Sequence, residues 1–143
     1  MVKVKKQIHI DAPLEKVFDF VIKPENLPEI WPSMIKTENI KPSPKGGHDF
    51  DWEYKMAGMP LRGHSKILEF VPNEHVVSEN EGGIPAKLFW DYRAEDGGMR
   101  LDLQVEYEVP MPVLGKLAEK VVHKINENEH EVMLANLKVA TEM

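Results

Sequence analysis

The sequence predicts an α+β fold, a meander of antiparallel strands covered by one long C-terminal helix, and two adjacent segments carry most of that expectation. Over residues 99–109, Met99, Leu101, Leu103, Val105, Tyr107 and Val109 fall on one side and Arg100, Asp102, Gln104, Glu106 and Glu108 on the other. That is period 2, the pattern of a half-buried strand. Pro110 and Pro112 end it. From about Val113 the apolar spacing becomes 3.6, with Leu114, Leu117, Val121, Ile125, Val132 and Val139 on one side and no proline or glycine after Gly115. A helix of roughly 28 residues is about 42 Å long and needs a wide apolar surface to lie on. The rest of the chain supplies that surface as strands.

Taken in order, Val2, Val4, Ile8 and Ile10 alternate with Lys3, Lys5, Gln7 and His9 in a first strand whose one mismatch is Lys6. Asp11 is a candidate N-cap, with Pro13 in the first turn and Glu15 near the positive end of the helix dipole. A short helix is therefore expected over residues 13–22. Its apolar residues Leu14, Val17, Phe18, Val21 and Ile22 share one stripe, and Lys23-Pro24 ends it. Residues 24–32, with Leu27, Ile30 and Trp31, read as a second short helix or a turn. Residues 33–40 are weakly patterned but extended, and two prolines and two glycines over residues 41–47 turn the chain.

In residues 48–57, Phe50, Trp52, Tyr54 and Met56 alternate with Asp49, Asp51, Glu53 and Lys55. Gly58, Met59 and Pro60 turn the chain into the next strand, residues 61–71. There Ile67-Leu68 and Phe70-Val71 break the alternation, which leaves the register open and allows a bulge. Pro72-Asn73 turns again and residues 75–80 form a short strand. Gly82, Gly83 and Pro85 separate it from Leu88, Trp90 and Tyr92, and Asp96-Gly97-Gly98 is a hairpin signal into the last strand. The predicted order is strand, helix, helix, about six strands, long helix, with no internal repeat.

Composition excludes several classes of function. At 143 residues one domain, residues 1–143, is expected, and a chain of this size buries about 68–70% of its unfolded surface. It has no cysteine, which removes disulfides, thiolate metal sites and cysteine nucleophiles and agrees with a reducing, cytoplasmic location. A formal charge of −6 argues against nucleic acid as a partner, since phosphate binding needs a basic face. No apolar run approaches the ~20 residues of a membrane span, and the first residues enter a strand pattern with no signal-peptide core. No stable membrane insertion is expected.

Four strings then carry a family likeness: Ile10-Asp-Ala-Pro-Leu-Glu-Lys-Val-Phe18 leading into the first helix, Trp31-Pro-Ser33, Tyr107-Glu-Val-Pro-Met-Pro112 before the last helix, and Asn136-Leu-Lys138 near its end. On these the chain resembles the START-like, or SRPBCC, superfamily and, within it, the polyketide cyclase/dehydrase-related group. The resemblance implies a helix-grip (START/Bet v 1-like) fold. In that fold a curved antiparallel sheet of about six to seven strands surrounds the C-terminal helix, with two short helices between strands 1 and 2. A cavity for an apolar ligand lies between sheet and helix.

The residues carry their own evidence for such a cavity. The strand faces assigned inward hold Phe50, Trp52, Tyr54, Met56, Trp90, Tyr92, Met99 and Tyr107, more bulk and more hydroxyl than an aliphatic core needs. With Ile125 as the centre of the helix stripe and about 100° per residue, Asn128, Glu129 and Asn136 lie within roughly 60° of it and point towards the sheet. Each must meet a tyrosine hydroxyl, an indole N–H, water or a ligand, unless the helix overhangs the sheet and leaves them at a wet rim. Trp31 either closes the cavity mouth or staples the short helices to the sheet. The candidate ligand-binding set is Trp31, Trp52, Tyr54, Met56, Trp90, Tyr92, Met99, Tyr107, Asn128, Glu129 and Asn136.

The polar candidates for chemistry carry less. Of six histidines, His123 and His130 are placed on the helix's solvent face by the same count, and no His-x-x-x-His pair exists, so no metal and no cofactor is expected. Arg62 and His64 share a strand face and could act as an acid–base pair with Tyr54 or Glu129. Turning them inward would turn Lys66 inward as well, and an unpaired buried ammonium is costly. Arg62, His64 and Lys66 are therefore expected to face solvent, with Gly63, Ser65 and Ile67 towards the helix, and no catalytic residue is assigned. The favoured function is binding or carriage of a lipid, quinone or polyketide-like molecule. An aromatase/cyclase or dehydratase enzyme is the alternative. A regulatory or assembly domain with a protein partner is the third reading, and an exposed apolar patch would mark it.

Overall fold

Alternating faces and short turns build one seven-stranded antiparallel sheet in the computed structural model, which describes residues 2–56, 58–83, 85–107 and 111–143, with backbone alone at 56, 59 and 111–122. The strands are β1 (Val2–Ile10), β2 (Met34–Pro42), β3 (His48–Met56), β4 (Met59–Val71), β5 (His75–Glu81), β6 (Ala86–Glu95) and β7 (Gly98–Tyr107). Their spatial order is β1-β7-β6-β5-β4-β3-β2, so every neighbour from β2 to β7 is a hairpin partner and only β1 pairs with a strand distant in sequence. Between β1 and β2 lie α1 (Leu14–Val21), a 3₁₀ turn (Pro24–Asn26) and α2 (Leu27–Ile30). The chain then ends in α3 (Met111–Glu142). This is the helix-grip arrangement of a curved sheet and a C-terminal helix. Among the described residues no helix is long and apolar enough to cross a membrane.

The ambiguous strand resolves with a bulge. Register shifts between Ile67 and Glu69 where β4 meets β5, and the extra residue lets both Ile67 and Phe70 pack against the core. Arg62, on the outer face, donates from Nε to Glu53 at 2.9 Å. His64 meets Asp51 at 2.8 Å, and Lys66 lies 2.6 Å from Glu81. Ser65 is buried between them, so the outward register of Arg62, His64 and Lys66 is the observed one. In β1 the mismatch has a purpose, because Lys6 reaches α3 and donates from Nζ to Glu131 at 2.7 Å.

Two local expectations are corrected. Asp11 does not cap α1, whose N-cap position is Pro13 with no side-chain hydrogen bond. The Asp11 backbone N–H donates instead to Glu142 of α3 at 2.8 Å. The buried stripe of α3 also differs from the one expected: Val132 and Val139 are 44% and 65% exposed, while Asn126, His130, Met133, Leu134, Leu137 and Thr141 are buried. Hydropathy misplaces the stripe because three of these residues are polar. Thr141 is buried at little cost, since its hydroxyl donates to the Leu137 carbonyl at 2.7 Å inside the helix. The expected stripe residues Leu114, Leu117 and Val121 have side chains outside the described residues.

The phase of α3 is testable by paired truncations. Leu137 is fully buried and Val139 is largely exposed, so Leu137→Ala should cost about 2–5 kcal/mol in urea unfolding. Val139→Ala should stay within about 0.5 kcal/mol of the parent. The reverse order of effects would place the sequence-derived stripe, not this one, against the sheet.

Candidate functional site

α3 packs against β1, α1 and α2, which leaves room over the strands further along the sheet. A cavity of about 140 Å³ lies there, walled by β3 to β7 with α1, α2 and α3. Trp31, Trp52, Tyr54, Trp90, Tyr92 and Tyr107 from the sequence-derived set line it, and all six are buried. Leu27, Phe50, Ile67, Val76, Leu88 and Val105 extend the apolar part of the wall, and His48, Ser65, Ser78 and Asn80 of the sheet side, with Asn126 and His130 of α3, add polar groups to it.

The other candidates stand elsewhere. Met99 is fully buried but pairs with Ile10 at the far end of β7, away from the cavity. The side chain of Met56 lies outside the described residues. Asn128 is exposed, a correction that follows from the rotated phase of α3. Asn136 points inward but is used structurally, donating from Nδ2 to the Ile30 carbonyl at 2.9 Å at the end of α2. Glu129 accepts a short hydrogen bond from the Ser33 hydroxyl, and its second oxygen is buried without a partner among the described residues. His130, expected on the solvent face, is 3% exposed and stands edge-on to Trp31 with ring centroids 5.6 Å apart. His123 is also not purely solvent-facing, because its Nδ1 lies 3.1 Å from the Tyr107 hydroxyl.

Ring packing fixes the aromatic wall. Trp31 meets Tyr54 edge-on at 6.4 Å, and Tyr54 meets Trp52 edge-on at 6.5 Å; on the opposite side Phe18 stands against Tyr92 at 5.0 Å. Such T-shaped pairs add about 0.5–1.5 kcal/mol beyond their buried area. Trp52 has room because its cross-strand partner is Gly63. A Cβ there would lie 2.3 Å from Trp52 Cζ2 and 2.3 Å from the Glu81 carbonyl oxygen.

Burial sets the protonation of two phenols and one imidazole of the wall. Burial, and then the charge of Glu129, raises the Tyr54 pKa well above the ordinary phenol value, and burial does the same for Tyr92. Burial lowers His130 to about 4, with a smaller push from Lys6. Both phenols and the imidazole are therefore uncharged at neutral pH. Trp31 Nε1, Trp52 Nε1, Tyr54 OH, Tyr92 OH, His48 Nδ1 and His130 Nδ1 are all buried without a hydrogen-bond partner among the described residues. Each such group costs about 1–3 kcal/mol. The Trp31 N–H and the Ser33 hydroxyl approach the Tyr54 oxygen without completing a hydrogen bond to it. Asn126 is not singled out by the sequence and His130 is put on the wrong face, because both look like surface in a hydropathy count; the available signal was the i, i+4 spacing of Asn126, His130 and Leu134, which puts them on one helix face.

Comparison with known proteins bears on the family. The family model described as polyketide cyclase/dehydrase and lipid transport matches residues 1–142. No curated protein matches the chain by sequence at a significant level. Among solved structures, the Zhui aromatase/cyclase from Streptomyces sp. R1128 has a TM-score of 0.84 at 15% identity, covering 99% of this chain and 93% of that one. TTHA0849 from Thermus thermophilus has a TM-score of 0.76 at 22% identity, covering 96% and 94%. Ara h 8.0201 has a TM-score of 0.71 at 14% identity, covering 98% and 97%. At these identities the likeness is one of fold.

Two substitutions test the site as a structure. Gly63→Ala should force Trp52 from its place, cost about 1–3 kcal/mol and shift tryptophan emission; an unchanged spectrum and midpoint would mean the indole does not lie over Gly63. The second uses pH. Because His130 titrates near 4 when folded and near 6.5 when unfolded, the unfolded chain takes up the proton first, and native stability is lost as pH falls from about 6.5 towards about 4. That part of the loss, roughly 2–4 kcal/mol at about 1.4 kcal/mol per pH unit, should be absent in His130→Phe when the two are compared by urea titration at pH 7 and 4.5. Parallel profiles would show that the fold does not hold this imidazole neutral.

Proposed function

This chain belongs to the polyketide cyclase/dehydrase and lipid transport family, within the START-like superfamily, and from that premise we propose that it is a cytoplasmic binding or carrier protein for a hydrophobic small molecule. The observation that carries the reading is the cavity between sheet and α3, whose walls are mostly rings and aliphatic side chains. Trp31, Trp52, Tyr54, Trp90, Tyr92 and Tyr107 are the proposed ligand contacts. Burying apolar ligand surface against them yields roughly 25 cal/mol per Å², with few polar atoms needed for orientation.

Cyclase or dehydratase chemistry is the second reading, favoured by the neutral His130 imidazole and the unpartnered Tyr54 hydroxyl in one wall. It is the weaker of the two. Arg62 and His64 are tied to Glu53 and Asp51 on the outer face, and the described cavity-lining residues include no carboxylate and no amine. A histidine and a phenol without a charged partner orient a carbonyl more readily than they move its protons.

The neutral fluorophore N-phenyl-1-naphthylamine tests the carrier reading. It should bind saturably, with enhanced blue-shifted emission and quenching of tryptophan fluorescence. Trp52→Ala, shown to be folded by circular dichroism, should weaken that binding by about tenfold, equivalent to about 1.4 kcal/mol. Non-saturable binding that is indifferent to Trp52 would leave the aromatic cluster as core and nothing more.

A further inference from the structure

Two histidines bear on the seating of α3, and they require opposite protonation states. His9, near the end of β1, has a carboxylate on each ring nitrogen: Glu95 of β6 lies 2.5 Å from Nδ1, and Asp11 of the β1–α1 turn lies 2.8 Å from Nε2. A neutral imidazole carries one N–H and an ionised carboxylate only accepts, so both contacts hold only when His9 is charged. The last turns of α3 meet the same corner. Lys138 Nζ donates there to the His9 carbonyl oxygen, and the Asp11 backbone N–H donates to Glu142.

The corner holds three carboxylates, Asp11, Glu95 and Glu142, and the first repels the last. Among the described residues the other cations facing it are already engaged or lie further off. Lys138 is 2.5 Å from Glu142, and Lys16 of α1 donates to the Met143 carbonyl. Arg100, opposite His9 on β7, is held by Asp102 at 3.1 Å, and Arg93 of β6 stands beyond it. The hydrogen bond to Glu95, and then that to Asp11, holds the His9 pKa above the ordinary imidazole value.

His130, further back along α3, has the reverse requirement. It is buried edge-on to Trp31, with Nδ1 unpartnered among the described residues, and an imidazolium there would be buried with an unpaired N–H. Lys6 of β1, itself beside Glu127 and Glu131, acts on it from outside the helix. Glu129 adjoins it in sequence, and the titratable groups sharing its cavity wall are His48, Tyr54, Tyr92 and Tyr107.

We propose that α3 is seated by a charged His9 at its C-terminal end and a neutral His130 further back, so that alkali frees the helix end and acid lifts the part that covers the cavity. The signs follow from proton affinity. Folding raises that of His9, so its tie is complete below about 6.5 and lost as pH rises through the folded value. Folding lowers that of His130, so its seat is lost as pH falls from about 6.5 towards about 4. Neither effect depends on what the cavity holds.

Hydrogen–deuterium exchange of the full chain, corrected for the intrinsic pH dependence of exchange, tests both. From pH 6.5 to 8.5, residues 135–142 of α3 should lose about two- to fivefold in protection, the size of a surface ion pair. His9→Gln should show that loss already at pH 6.5. Glu95→Gln should abolish it, because the new amide donates to Nδ1 and leaves the one imidazole N–H for Asp11. From pH 6.5 to 5.0, residues 126–134 should lose about tenfold, and His130→Phe, or His130→Leu should the first fail to fold, should not. Protection over residues 135–142 that is flat with pH in the parent chain, or that falls as steeply in Glu95→Gln, would overturn the His9 tie. An acid loss over residues 126–134 that persists without His130 would overturn the second seat.

Discussion

The arrangement depends on the pairing of β1 with β7, which runs unbroken from Val2 opposite Tyr107 to Ile10 opposite Met99. A meander from β2 to β7 alone would leave β7 as an open edge, and edges invite non-native pairing. β1 closes that edge and gives α3 something to lie on. Lys6 reaches Glu131, the Asp11 backbone N–H donates to Glu142, and Lys138 Nζ donates to the His9 carbonyl oxygen at 3.1 Å. These contacts at or near the surface are individually weak. Their value is positional: they tie α3 along β1 and away from the middle of the sheet, and the space so left is the cavity.

What fills the edge of that space is decided by strand pairing. Trp52 on β3 faces Gly63 on β4, so a tryptophan of the wall sits opposite a residue with no side chain. The indole takes the volume that a Cβ would occupy. Tyr54, two residues on, shares the same face and packs against both Trp52 and Trp31. Among the described residues the polar tips of these rings have no hydrogen-bond partner, while their bodies are core. This is the usual division of labour in a site that binds by apolar area and orients by a few donors.

Much of this was legible in the sequence, and the limits are physical. Strict alternation over residues 99–107 and 50–56 placed the inward aromatics, because period 2 is unforgiving of a one-residue slip. The register of β4 followed from the cost of burying Lys66. The phase of α3 was not legible, since a buried stripe containing Asn126, His130 and Thr141 looks like surface to any hydropathy count while Val132 and Val139 look like core. Met99 shows another limit: alternation assigns a face but says nothing of position along the strand, and Met99 lies at the Ile10 end, beyond the cavity. The Asp11 cap failed because α1 starts two residues further on, with Pro13 at its N-cap position, and the Asp11 carboxylate lies 2.8 Å from His9 Nε2 instead.

The β1–β7 ladder also has a consequence for the order of assembly. Each hairpin from β2 to β7 joins residues close in sequence, whereas Val2 and Tyr107 close a loop of roughly a hundred residues, and such closure is entropically dearer than any of the short turns. The hairpins can form on local information. β1 must wait until β7 exists to receive it, and α3 gains its seat only when β1 has docked. A nascent intermediate of this chain would therefore be a curved, one-sided sheet with Trp52, Trp90 and Tyr107 exposed to water. Its last and most sequence-distant step would create both the lid and the cavity beneath it.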